Sequence, residues 1–257
     1  MKFSVALLMK LLNVLCRIAN GVERLASALR LTKNFKPSLP LRRKSATSSN
    51  GLQMSTSQFD KIFEQEGRGL PVPFLRALAK RESNMNPLDA NGPAWGLMQV
   101  GIDKRAGNVL SEYNRRNSSS LAKSDMLDPR LNVRVAADLL ARIVAMYKSE
   151  GIQEDWDNAN FVGLVVAGWN SGYSKASGTT RAIRELKELG IPISLAAVYK
   201  RADLDHAITK HLRNPKKQRW QRSVVASYFE ELGKPLSSES KGNNEWLPIA
   251  MLLLFLL

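Results

Sequence analysis

Apolar residues recur at three- and four-residue steps over most of the chain, the spacing of one helix face. Residues 73–84, 135–147, 161–169, 181–189, 202–212 and 219–232 all follow it, and no stretch alternates in the two-residue period of a strand. Pro87, Pro129, Pro192 and Pro215 punctuate these runs, and Gly92, Gly101, Gly107, Gly151, Gly172 and Gly178 mark turns. The pattern therefore predicts an all-α domain over residues 58–235.

Both ends read differently. Leu7, Leu11, Val14, Ile18, Val22, Leu25 and Leu29 form one stripe, with Lys10, Arg17 and Arg24 on another face. Residues 1–31 thus read as a basic amphipathic helix able to lie on a membrane surface. A degenerate signal segment and a helix packed on a partner are the competing readings, although Lys10 interrupts the apolar run and no clean cleavage site follows. Residues 32–57 turn to Lys, Arg, Ser and Pro with few large apolar side chains, the composition of a flexible linker. Residues 236–257 begin as a polar spacer and end in an apolar tail. Its last twelve residues would make a helix of about 18 Å, short of a hydrocarbon core of about 30 Å. Insertion into one leaflet, docking on a partner and packing on the domain remain open for it.

With 257 residues the chain can hold one domain of ordinary size plus appendages. The formal charge of +15 is unevenly spread: residues 1–57 hold ten basic residues and one acidic residue. Such charge attracts polyanions, among them nucleic acid, anionic lipid and acidic envelope polymers, and sign alone does not choose among them. Nucleic acid is the weakest of these readings, since it rests on charge alone. Cys16 has no partner cysteine, which excludes an internal disulfide and a cysteine metal site. His206 and His211 stand five apart, a spacing that does not bring them together on one helix face as ligands, and they read as ordinary helix residues.

One residue breaks the apolar pattern. Leu75, Leu78 and Ala79 share a face, and Glu82 falls on it, four residues after Leu78 and three after Ala79. A carboxyl that points toward the core has its charged form disfavoured, which fits it to donate a proton near neutral pH. A helix-end glutamate that swings out to Lys80 or Arg81 is the plainer alternative.

The order of motifs behind Glu82 decides between them. Glu82-Ser83 is followed by Gly96-Leu97-Met98-Gln99, then by Asp128-Pro129 and Asn132 leading a long helix, then by Ala167-Gly168-Trp169-Asn170-Ser171-Gly172, and last by Trp220 in residues 219–225. This series resembles the catalytic domain of the soluble lytic transglycosylase family, lysozyme-like enzymes that cut the glycan strands of bacterial peptidoglycan. The similarity runs over about residues 58–232, with an insertion at about 177–215. It implies an all-α, lysozyme-like (goose-type) helical domain and no metal or cofactor.

The resemblance also implies a mechanism. Glu82 would protonate the oxygen between N-acetylmuramic acid and N-acetylglucosamine, then take the proton of the muramic acid C6 hydroxyl as it closes on C1, leaving a 1,6-anhydro end. Because the nucleophile belongs to the substrate, one carboxylate suffices, whereas most glycosidases need two, about 5 Å apart or more. Asp89, Asp103 and Asp128 are the nearest acids along the chain, and Asp128 reads as a helix cap. Ser83, Met98, Gln99, Trp169, Asn170, Tyr173 and Trp220 are the implied cleft residues, with a backbone role equally open for Ser83 and core packing expected of Leu97.

Four departures mark the chain. Trp169 and Trp220 stand where relatives usually carry tyrosine, and Ala90 and Pro93 where they often carry serine and glycine. An indole offers only one N–H donor, so the acid must be held differently, with Tyr173 as the expected substitute. The alternatives are a hydrolytic muramidase of goose type and a non-catalytic peptidoglycan-binding part of an envelope or virion. The substrate implies work at the bacterial envelope, by a membrane-associated protein or one carried by a secretion machine or phage particle.

Overall fold

The computed structural model describes residues 54–90, 92–234 and 236. The basic N-terminal stripe, Cys16, nearly all of the linker and the apolar tail lie outside the described residues. Among those described, eight α-helices are joined by two short 3-10 turns and a two-stranded ribbon: α1 (Thr56–Glu66), α2 (Val72–Glu82), β1 (Ala94–Trp95), β2 (Val100–Gly101), α3 (Val109–Asn117), α4 (Pro129–Ser149), α5 (Ala159–Ser171), α6 (Thr179–Glu188), α7 (Leu195–Leu204) and α8 (Pro215–Glu231).

Local chemistry sets most of these boundaries. Ser55 and Gln58 form a reciprocal capping box, so α1 begins at Thr56, inside the stretch expected to be linker. Asp128 caps α4 as expected: its Oδ1 accepts from the backbone N–H groups of Arg130 at 2.8 Å and Leu131 at 3.3 Å. Pro129 then fills the first helical position, where an N–H would have no partner. β1 and β2 pair antiparallel, Ala94 opposite Gly101 and Trp95 opposite Val100. Alternation over two residues is too brief to register as a strand.

The helix expected over residues 202–212 is corrected. α7 starts at Leu195, capped by Ser194, and stops at Leu204. Asp205 is extended, at φ −117° and ψ 111°, and its Oδ1 accepts from Ala207 N at 2.8 Å, a local bond that competes with helix continuation. Ile208 and Leu212 still reach the core, but from successive turns. Their helical spacing was therefore accidental, and His206 and His211 sit in turns rather than in a helix.

α5 is the buried axis of the domain. Phe161, Val162, Leu164, Val165, Val166 and Ala167 are all buried, and the helix carries no charged residue. It packs against α4, α6, α7 and α8, while α8 also packs along α2. Gly168 sets the closest approach, since a Cβ there would lie 2.4 Å from Tyr147 Oη of α4. The Tyr147 hydroxyl donates to Leu164 O at 3.0 Å, bolting α4 to α5. The segment 177–215 folds onto this framework through α6 and α7. Glu185 accepts from Arg181 at 2.8 Å and Arg201 at 2.7 Å, and Arg181 reaches Asp205 at 2.9 Å. The result fixes the ends of α2, α5 and α8 relative to one another.

Candidate active site

Glu82 is the last residue of α2, and the chain then leaves the helix through left-handed Asn84 (φ 55°) and Met85 (φ 62°). Its Oε1 accepts the indole N–H of Trp169, from the last turn of α5, at 2.6 Å. Burial pushes the Glu82 carboxyl up to about 7 from a usual 4.5, with the Trp169 hydrogen bond and the Lys217 ammonium pulling the other way. The group is therefore close to half protonated at neutral pH, while part of the residue remains open to solvent. No second carboxylate is among the groups acting on it from the described residues. Asp103 is bound by Arg105 and Asp128 by the start of α4.

The surrounding loop is held by polar side chains aimed at backbone. Asn132, wholly buried in the first turn of α4, accepts from Met98 N at 2.7 Å and donates to Trp95 O at 2.8 Å and Met126 O at 2.9 Å. Gly96 lies so close that a Cβ would stand 1.9 Å from Met126 O, and its φ of +81° favours glycine in any case. Ser83 donates to Leu97 O at 2.7 Å and accepts from Asn86 N at 3.1 Å, so its hydroxyl ties the helix end to the loop. Gln99, at φ 48°, donates its amide to Asp89 O at 3.2 Å and Gly96 O at 3.0 Å.

The implied cleft residues thus separate. Glu82 and Trp169 meet directly. Asn170 is next to them, its Oδ1 accepting from Gln221 Nε2 at 3.4 Å. Gln99 borders the loop, whereas Met98, expected on the cleft surface, is fully buried and packs in the core beside Leu97. Ser83 is likewise buried, with backbone partners. The Tyr173 hydroxyl accepts from Arg142 Nη1 at 3.1 Å, so it does not replace the missing tyrosine at the acid; the indole of Trp169 fills that place itself. Trp220 lies half-buried on α8, packed against the core.

One residue near the acid escaped the sequence reading. Lys217 of α8 is half-buried and donates to Asn170 O at 3.1 Å, and it is the cation that acts on Glu82. Its only sequence signal is its place three residues before Trp220, and α8 reads as a solvated basic helix there.

A family model described as the transglycosylase SLT domain matches residues 61–188, about half of the chain. The match takes in Glu82, the ribbon, α4 and Trp169, while Lys217, Trp220 and α8 fall beyond it. No curated protein matches the chain. Eight chains among solved structures do. One is an inactive mutant of the lytic transglycosylase Slt from Pseudomonas aeruginosa, with 16% identity and a TM-score of 0.45. The alignment covers 70% of this chain and 24% of that one. From the family match, with the ordered motifs seated as described, the chain belongs to the transglycosylase SLT domain family of lysozyme-like folds.

Proposed function

We propose that the protein is a peptidoglycan lytic transglycosylase that cleaves the β-1,4 bond between N-acetylmuramic acid and N-acetylglucosamine and leaves a 1,6-anhydro end. The observation that carries this reading is Glu82: a carboxyl raised to about 7, held by the Trp169 N–H, with no second carboxylate acting on it from the described residues. In the first step the protonated Glu82 gives its proton to the glycosidic oxygen as the C1–O bond breaks. In the second, the C6 hydroxyl oxygen bonds to C1 and its proton returns to Glu82. The acid ends as it began, and the intramolecular nucleophile supplies what a second carboxylate supplies in other glycosidases.

On this reading Asn170 and Gln99 meet sugar amides and hydroxyls, with Trp169 and Trp220 as aromatic surface. Ser83 and Met98 support from beneath, through the helix-end hydrogen bonds and the core respectively. On this reading the protein works on the wall of a bacterial envelope or from a virion, with residues 1–31 and the apolar tail at a membrane surface.

Mass spectrometry of fragments released from purified sacculi tests the reaction class. Anhydro-muramic ends support the transglycosylase; reducing ends make the protein a hydrolytic muramidase; intact sacculi leave a binding role.

A further inference from the structure

On α8, four residues apart, Lys217 and Gln221 both grip Asn170. Lys217 Nζ donates to its carbonyl at 3.1 Å, and Gln221 Nε2 reaches its side-chain oxygen at 3.4 Å and Ser171 Oγ at 2.9 Å. Gln221 is wholly buried and accepts from the Tyr199 hydroxyl at 2.5 Å. The ammonium is therefore fixed on the residue next to Trp169, whose indole is on the acid. No salt bridge within 4.0 Å joins Lys217 to Glu82 among the described residues, so the ammonium acts on the carboxyl without capturing it.

We propose that Lys217 is a positioning residue for Glu82: anchored on Asn170, it holds a fixed positive charge beside the acid that stabilises the carboxylate formed between proton donation and proton return. This rests on the transglycosylase reading for its purpose, though not for its geometry. In that cycle Glu82 passes from neutral acid to anion and back, and only the anionic stage gains from the cation. Burial lowers the Lys217 pKa and Glu82 raises it, a reciprocal pull on each other's charge.

Other charges around Glu82 are engaged elsewhere. On α2 itself, Arg81 donates to Ser227 Oγ of α8 and Lys80 is exposed. α5 brings no charge. From α1, Asp60 is held by Arg76, which also holds Glu231 of α8. Arg222 of α8 lies over the Tyr199 ring at 5.4 Å, and Arg219 is exposed. From the turns before α8, His211 is lowered first by burial and then by Lys217 and Lys210.

The test is a carbon-13 NMR titration of the Glu82 carboxyl in the full chain, comparing parent with Lys217→Gln, Lys217→Met and Lys217→Arg. Gln keeps a donor for the Asn170 carbonyl and removes the charge; Arg keeps the charge. Removing an opposite charge should raise the Glu82 midpoint by about one pH unit in the Gln and Met variants, with Arg close to parent. The alkaline limb of sacculus cleavage should move upward with it. An unchanged or lower midpoint in folded Lys217→Gln overturns the proposal, as does an Arg variant that behaves like Met. The titration needs no substrate, so a parent that fails to cut sacculi would sink the transglycosylase reading while this result still stands.

Discussion

Trp169 donates its indole N–H to Glu82 across 2.6 Å, joining the last turn of α5 to the final residue of α2. A hydrogen bond to a charged group contributes about 1.5–3 kcal/mol, and one pKa unit is about 1.4 kcal/mol. Trp169→Phe should therefore raise the Glu82 midpoint by about one unit or more and slow sacculus cleavage about tenfold at neutral pH. Trp169→Tyr, which restores a donor, should titrate closer to the parent than Phe does. Carboxyl NMR and turbidity of sacculus suspensions read the two effects.

The same acid makes stability depend on pH. Its folded value, about 7, lies above the usual 4.5, so between these values the folded state holds a proton that the unfolded chain has lost. Its stabilising contribution is full below about 4.5 and is lost as pH rises through about 7, by roughly 3 kcal/mol in total. Denaturant unfolding of parent and Glu82→Gln should give a difference that grows in favour of the variant from pH 4.5 to 8. A constant difference would show that Glu82 is not raised.

Asn132 holds the loop under the site with three buried hydrogen bonds, to Met98, Trp95 and Met126. Asn132→Leu would take the side-chain partner from one N–H and two carbonyls, at about 1–3 kcal/mol for each group left unpaired. The expected loss is about 3 kcal/mol or more in urea unfolding, together with lost activity.

Asp138, at 1% exposure on α4, is faced by Arg68 at 3.0 Å, Arg142 at 3.2 Å and Arg116 at 4.0 Å. Arg68 and Arg116 reach solvent, so Asp138→Ala leaves chiefly the part-buried Arg142 without its counter-ion and should lower the unfolding midpoint. Through Arg142 it should also loosen Tyr173.

What the chain discloses by pattern and what it hides divide along physical lines. Glu82 was legible because a carboxylate on an apolar face is anomalous, and because the motifs after it come in order. The long helices were legible where one stripe faces a single core, as in α4. α7 was misplaced because Ile208 and Leu212 reach the core from turns, imitating helical spacing. Tyr173 was the wrong substitute, since only folded geometry shows that a longer indole on α5 reaches the acid and that Arg142 takes the phenol. Lys217 was invisible because nothing in sequence distinguishes one basic residue of α8 from Lys216 or Arg219; its half-buried place against Asn170 does.

The central claim is that a single carboxyl, Glu82, performs both proton transfers. Turnover of purified sacculi by the full chain and by Glu82→Gln, with folding of both verified by circular dichroism, tests it most directly. The account requires the parent to release anhydro-muramic fragments and the glutamine variant to lose at least a hundredfold in rate, the lower end of what a positioned acid contributes, roughly 10²–10⁴. A folded Glu82→Gln that clears sacculi as fast as the parent would contradict it.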